Sequence, residues 1–285
     1  MKLCIFDDDR IGVALGQDVV DITDVFASSF RPTWPYPKYD WIINNFESVR
    51  PHIDEAIESG RRVPLASVRL RAPVANPGKI IAAPINYKDH IAEANNDPQI
   101  NHGKTFTDLS TLGVFLKANS SVIGCHEDIR IPFPDRRTDH EVELAVVIGR
   151  EAKKVSRENA LAFVFGYCIG LDMTVRGPEL PDFRKSADTF SVLGPWIVTA
   201  DEIPEPNSLD LSIHVNGELR QQSNTKYLIY DVQRLIEYAS AMYTLYPGDV
   251  IMTGTPAGVS PVTYGDILEA SVSGIGTMTA RVAAN

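Results

Sequence analysis

The chain has 285 residues, 44% of them hydrophobic and 22% charged, enough to bury a substantial core in one large or two modest domains. Its formal net charge of −10 argues against nucleic acid or an anionic membrane surface as partner. Three scattered cysteines, Cys4, Cys125 and Cys168, have no paired spacing, and no apolar run is long enough to span a bilayer, so the expectation is a reduced, cytoplasmic protein.

The first nine residues, Met1-Lys2-Leu3-Cys4-Ile5-Phe6-Asp7-Asp8-Asp9, turn acidic too early for a signal peptide. Short apolar runs up to Ile22 alternate with turn residues and predict a small antiparallel meander. Arg31 to Pro37 is an aromatic-proline loop that reads as turn and packing. From Tyr39 to Gly60 apolar residues recur at helical spacing, interrupted by Pro51, which predicts one or two helices. An extended connector leads to a boundary near Pro73, dividing the chain into 1–72 and 73–285.

The second part opens on the strand Lys79–Pro84 and a short helix in which His90 and Glu93 lie three residues apart, on one face. A histidine oriented by a carboxylate is the usual make-up of a general base, although a solvated surface pair has the same spacing. Ala94 to Gly113 is polar and aperiodic, the texture of a lid or a disordered connection. Val114–Lys117 reads as a strand, with Lys117 either facing a site or, on the safer reading, solvated at its end.

The stretch Asp139-His140-Glu141-Val142-Glu143-Leu144-Ala145-Val146-Val147-Ile148-Gly149 follows, with a β-branched second half that predicts a buried strand. Side chains alternate along a strand, so Glu141 and Glu143 point the same way. A half-exposed edge strand would tolerate that; a strand entering the core would need a cation to offset the repulsion and desolvation. A second apolar strand, Phe165–Asp172, ends in another carboxylate. Three carboxylates at strand ends form a hard-oxygen site suited to Mg²⁺, Mn²⁺ or Ca²⁺ rather than zinc. Ser156 is placed to cap a short helix between these strands.

Beyond Asp172, Asn216-Gly217 marks a tight hairpin, Tyr230–Met242 a helix, and Ile267–Val272 with Met278–Val282 two closing strands. Between them, Pro247–Val259 is a strand running into a glycine-rich loop without the lysine of a phosphate-binding P-loop.

In order, Asn86-Tyr87 to His90 with Glu93, Phe115-Leu116-Lys117, Glu141-Val142-Glu143-Leu144, Leu171-Asp172-Met173-Thr174, Lys185-Ser186, Leu193-Gly194-Pro195-Trp196, Val215-Asn216-Gly217-Glu218 and Thr253–Val259 closely resemble the fumarylacetoacetate hydrolase superfamily. The resemblance covers residues 78 to 282, and each motif is short, but the ordered set is specific. It implies an α+β, mainly β fold: a mixed β-roll catalytic domain with few helices, joined to a small N-terminal α+β domain, usually as a homodimer. It also implies that Glu141, Glu143 and Asp172 ligate Mg²⁺ or Mn²⁺, and that His90, oriented by Glu93, activates water. Lys185 would stabilise charge on the reacting oxygen, Tyr87, Arg176 and Thr255 would contact the substrate, and the segment after His90 would be a lid.

The implied activity is hydrolysis of a C–C bond in a small anionic 2-oxo acid of the acylpyruvate type. The alternative is isomerisation, decarboxylation or hydration of a 2-oxo or 2-hydroxy-dienoate dicarboxylate. Three departures from the family pattern, Arg176-Gly177, Ala118-Asn119 and Pro84, lie in loops expected to meet the distal end of the substrate.

Overall fold

Seven consecutive residues, Val142–Ile148, are all buried, as a β-branched apolar run without alternation requires. In the computed structural model, which describes residues 1–27 and 37–284, this run is an inner strand of a twelve-stranded sheet. Val164–Asp172 and Val250–Met252 flank it, both antiparallel. Ser191–Thr199 follows on one side; Ile80–Ala82 and then Phe115–Lys117 follow on the other. The fold is the expected mainly β α+β class with few helices. The proline-rich residues 31–36 lie outside the described residues.

The N-terminal meander forms as the alternation predicts, over Lys2–Phe6, Arg10–Leu15 and Asp18–Asp21. Its first strand pairs with the end of Ser191–Thr199, Leu3 opposite Ile197, so the meander extends the main sheet. Trp41–Ser59 is a single helix despite Pro51. Proline inside a helix costs about 3 kcal/mol. Phe46 and Ile53 are buried on either side of it, each contributing roughly 1.5–3 kcal/mol, and that packing keeps both halves on one axis.

Two other expectations change. Ser156 opens a 3₁₀ segment, Arg157–Phe163, rather than an α-helix, and makes no side-chain capping bond to it. The short helix of His90 and Glu93 forms as expected, over Lys88–Asn96, but the stretch after it is not aperiodic: Pro98–Asn101 and Leu109–Leu112 are single turns. Asp97 and Asp108 cap those turns, accepting from Gln99 N at 2.8 Å and Ser110 N at 2.7 Å. The Asn216-Gly217 turn has φ of 52° and 81°, the mirror-image turn that matches strand twist.

The helix bearing His90 is fastened to the sheet by Asn86. Its amide donates to Tyr230 O and Thr253 O, both at 2.8 Å, and accepts from Tyr230 N at 2.7 Å. Gly254 permits this approach: its φ is +94°, and a Cβ there would lie 2.7 Å from Asn86 Cβ.

All three cysteines are free and buried. Burial pushes the Cys4 and Cys168 thiols up to about 12 and that of Cys125 up to about 11. The thiolate is the nucleophile, so at pH 8 the folded protein should give no fast reaction with a chromogenic disulfide reagent. Denaturation in guanidinium should release all three equivalents.

Candidate active site

The register Val142 opposite Leu171, with Asp172 N donating to Glu141 O at 2.9 Å, brings the ends of two strands together. Glu141, Glu143 and Asp172 thus meet, each offering an oxygen, with those atoms all within 4.8 Å of one another. All three residues are at most 2% exposed. Burying three carboxylates side by side is costly unless positive charge is brought to them.

Three cations come from separate segments. Lys185, which ends the turn Pro181–Arg184, donates to Glu141 Oε2 at 2.5 Å, Asp172 Oδ2 at 2.8 Å and Thr174 Oγ1 at 2.6 Å. Arg176 reaches Glu141 Oε1 at 3.2 Å while its Nε holds Asp139 Oδ2 at 2.7 Å. Lys117 pairs with Asp172 Oδ1 and donates to Phe190 O at 2.8 Å. Thus Lys117, expected as a solvated strand end, is a buried partner of the cluster. Strand alternation left both faces open to it, and the Asp172 that claims it lies on a distant segment.

Charge is unevenly shared. Burial raises the Glu141 carboxyl, but Lys185 and Arg176 outweigh that and hold it down to about 2. Glu143 is pushed well above the usual carboxylate range, by burial first and then by Asp172 and Glu141. Its one hydrogen bond in the site comes from Gly254 N at 2.7 Å. Lys185 is lowered by burial but held above its ordinary value by Asp172 and Glu141. Glu143 is thus the carboxylate that the protein's own cations leave uncompensated, so its protonated form is favoured until a cation arrives, and the all-oxygen donor set of the cluster fits Mg²⁺ or Mn²⁺.

His90 is 3% exposed and shares a 2.9 Å hydrogen bond from Nδ1 to Glu93 Oε2. The other oxygen of Glu93 accepts from Gly258 N at 2.8 Å, which fixes the carboxylate. With Nδ1–H given to Glu93, Nε2 is the ring nitrogen left to take a proton. His90, Glu141, Arg176 and Lys185 line one cleft of about 530 Å³. Residues 94–113 cover it, held by Arg137 to Asp97 Oδ2 at 2.8 Å and by an apolar contact of Ala94 and Ile100 with Val259. A larger groove of about 720 Å³, lined in part by Lys38, Glu47, Arg50 and Arg150, lies apart from all of these groups.

Two expected substrate contacts sit differently. Thr255 does not line the cleft: its hydroxyl donates to Val142 O at 2.9 Å and accepts from Gln221 Nε2 at 2.8 Å. Tyr87 lies behind the carboxylates, its phenol raised by burial and by the charge of Glu143, and its Oη is buried with no hydrogen-bond partner among the described residues. Sequence reading also missed Gln221, whose Oε1 accepts from Val142 N at 3.1 Å and which meets His140 Nδ1 at 3.1 Å. Of the three departures, Gly177 lies against an ion pair: a Cβ there would displace the Arg136 guanidinium, which donates to Glu179 Oε1 at 3.0 Å and Oε2 at 2.7 Å.

Comparison with known proteins gives consistent results. Residues 79–283 match the model of the fumarylacetoacetate (FAA) hydrolase C-terminal family. Maleylpyruvate hydrolase of Aquipseudomonas alcaligenes is 51% identical over 284 residues, 99% of each chain. The crystal structure of maleylpyruvate hydrolase from Sphingobium sp. SYK-6 in complex with manganese (II) ion and pyruvate superposes with a TM-score of 0.86 at 40% identity, covering 100% of both chains. The 2-hydroxyhepta-2,4-diene-1,7-dioate isomerase of Mycobacterium marinum is more distant, with a TM-score of 0.74 and 30% identity over 100% of this chain and 99% of that one.

The buried pairing of Lys117 can be checked through stability. Breaking a buried ion pair from one side costs about 3–5 kcal/mol. Lys117→Met should therefore lower stability by roughly that much in EDTA, measured by urea unfolding. Saturating Mn²⁺ should close most of the gap to the unsubstituted protein, because a divalent ion would supply the positive charge Asp172 has lost.

Proposed function

The chain belongs to the fumarylacetoacetate hydrolase family, and from that membership and the site we propose that its substrate is maleylpyruvate or a closely similar 2,4-dioxo acid. It is a divalent-metal-dependent hydrolase that cleaves a carbon–carbon bond in an acylpyruvate, with Mg²⁺ or Mn²⁺ as cofactor. The observation that carries the reading is the convergence of Glu141, Glu143 and Asp172, with Glu141 lining the same cleft as His90, which Glu93 holds. We assign the three carboxylates as metal ligands; a divalent ion held there supplies Lewis acidity that eases charge build-up on the 2-oxo end of the substrate.

The protein's own groups perform the rest. His90 Nε2 takes a proton from water, and the oxygen adds to the distal (C4) carbonyl carbon. The C3–C4 bond then breaks, its electron pair passing into the enolate of pyruvate, which is protonated at C3; the acyl part leaves as a carboxylic acid. Glu93 keeps the imidazole in the tautomer this requires and offsets the imidazolium that forms. Arg176 and Lys185 bring positive charge to the end of the cleft where the enolate develops. All three Lys185 donors are engaged by Glu141, Asp172 and Thr174, so contact with a reacting oxygen would replace one of these bonds. Thr255 and Tyr87 support the site from behind in this assignment: Thr255 fixes the strand at Val142, and Tyr87 leaves a hydroxyl beside Glu143. The His90–Glu93 base favours hydrolysis over the isomerase alternative, as does the greater similarity to the maleylpyruvate hydrolases.

We also propose a cytoplasmic homodimer divided at residues 72 and 73. The buried free thiols suit a reducing compartment, and the residues matched to the family fall within the second part. Among the described residues no helix is long and apolar enough to cross a membrane.

The purified protein with Mn²⁺ or Mg²⁺ should release pyruvate from maleylpyruvate, and EDTA should stop it; pyruvate release that is indifferent to EDTA would sink the metal role. His90→Ala should lower kcat by about 10²–10⁴-fold while Mn²⁺ affinity, read by calorimetry, stays the same. Glu143→Ala should weaken that affinity by more than roughly 100-fold, since even the outer partners of metal ligands are worth about 10–100-fold.

A further inference from the structure

The cleft wall carries more positive charge than the carboxylate cluster uses. Arg176 is committed to Asp139 and Glu141, and Lys185 to Glu141 and Asp172. Glu179 is neutralised by Arg136. Two cations of the same wall, Arg184 and Lys104, form no ion pair among the described residues. Their hydrogen bonds go to backbone carbonyls: Arg184 Nε to Glu179 O at 2.9 Å and its Nη1 to Val175 O at 3.4 Å, and Lys104 Nζ to Pro178 O at 3.2 Å. Adjacent carbonyls thus bring together a guanidinium from the cleft wall and an ammonium from the covering segment. Burial and the neighbouring Arg176 push the Arg184 pKa down, as expected of a cation held without a counter-ion. Asp182, on the same wall, is exposed and pairs with neither. Ile100, Phe106 and Leu116 give the wall an apolar part, suited to a short carbon chain.

We propose that Arg184, with Lys104 opposite it, binds a second carboxylate at the distal end of the substrate and so selects dicarboxylic 2,4-dioxo acids over monocarboxylic ones. This rests on the acylpyruvate hydrolase reading and adds the group that recognises the end of the substrate remote from the bond cleaved. A guanidinium can bind a carboxylate bidentately, and a charged hydrogen bond in a shielded cleft is among the stronger ones available. Lys104 travels with the covering segment, so its contact would form only when that segment lies over the cleft.

The test compares kcat/KM for maleylpyruvate and acetylpyruvate with the Mn²⁺-loaded protein, before and after Arg184→Gln and Arg184→Lys. The unsubstituted protein should prefer maleylpyruvate, and Arg184→Gln should cut that preference roughly 10–100-fold, mainly through KM for the dicarboxylate. Arg184→Lys should retain part of it, which a merely structural role would not require. If both substrates are cleaved and Arg184→Gln slows them equally, leaving their ratio unchanged, the assignment is overturned while the hydrolase reading stands. If neither substrate yields pyruvate, the hydrolase reading falls and this assignment falls with it.

Discussion

The burial of Glu141, Glu143 and Asp172 at the ends of two paired strands is the constraint on which the rest depends. Taking a carboxylate out of water costs several kcal/mol even after relaxation, and neighbouring like charges add to that. A sheet core alone could not contain the trio. Lys117, Lys185 and Arg176 offset it, and each arrives from a different part of the chain: a sheet-edge strand, a single helical turn and the segment after Thr174–Val175. The positions of these segments are thus set by charge as well as by apolar packing. Even so, Glu143 stays raised, so the site holds an instability that apolar packing elsewhere must carry.

Around the cluster, backbone groups and neutral side chains restrict what can move. Gln221 ties Val142 N, His140, Thr255 and Pro256 O into one buried knot beside the carboxylate-bearing strand. Asn86 ties the helix of His90 to Thr253 and Tyr230, and Gly258 ties Glu93 to the same loop. Base and carboxylates are thereby referred to one rigid body. Proton transfer needs heavy-atom distances of about 2.6–3.2 Å, and such precision is best supplied by neighbours that are themselves locked.

Much of this was legible in the sequence where the cause is local. Strand alternation put Glu141 and Glu143 on one side, helical spacing put His90 beside Glu93, and Asn216-Gly217 named its own turn. The short turns over the cleft were overlooked although Asp97 and Asp108 were their capping signals; single turns carry too little periodicity to stand out. Pro51 was weighed by its local cost, whereas burial of Phe46 and Ile53 decided the outcome. The partner of Lys117 and the role of Gln221 were not legible, because the groups they meet lie 55 and 79 residues away and nothing in the intervening pattern joins them. The contact of Gly177 is of the same kind, since its neighbour is a guanidinium from another loop.

The acidic balance of the chain and the anionic character of its substrate are reconciled by distance. Charges in water are screened within about 8 Å at physiological ionic strength, so the overall −10 says little about the field inside one cleft. Leading to two of its lining residues, Arg176 and Glu141, signs alternate in a ladder: Asp97, Arg137, Asp139, Arg176, Glu141. The inner members each have a partner on both sides, and Asp139 is fully buried between two guanidinium groups. Asp97 belongs to the covering segment and Glu141 to the carboxylate cluster. Arg137 thus divides its guanidinium between Asp97 and Asp139, so the placement of residues 94–113 beside the cleft is stabilised by the same charges that make the cluster tolerable.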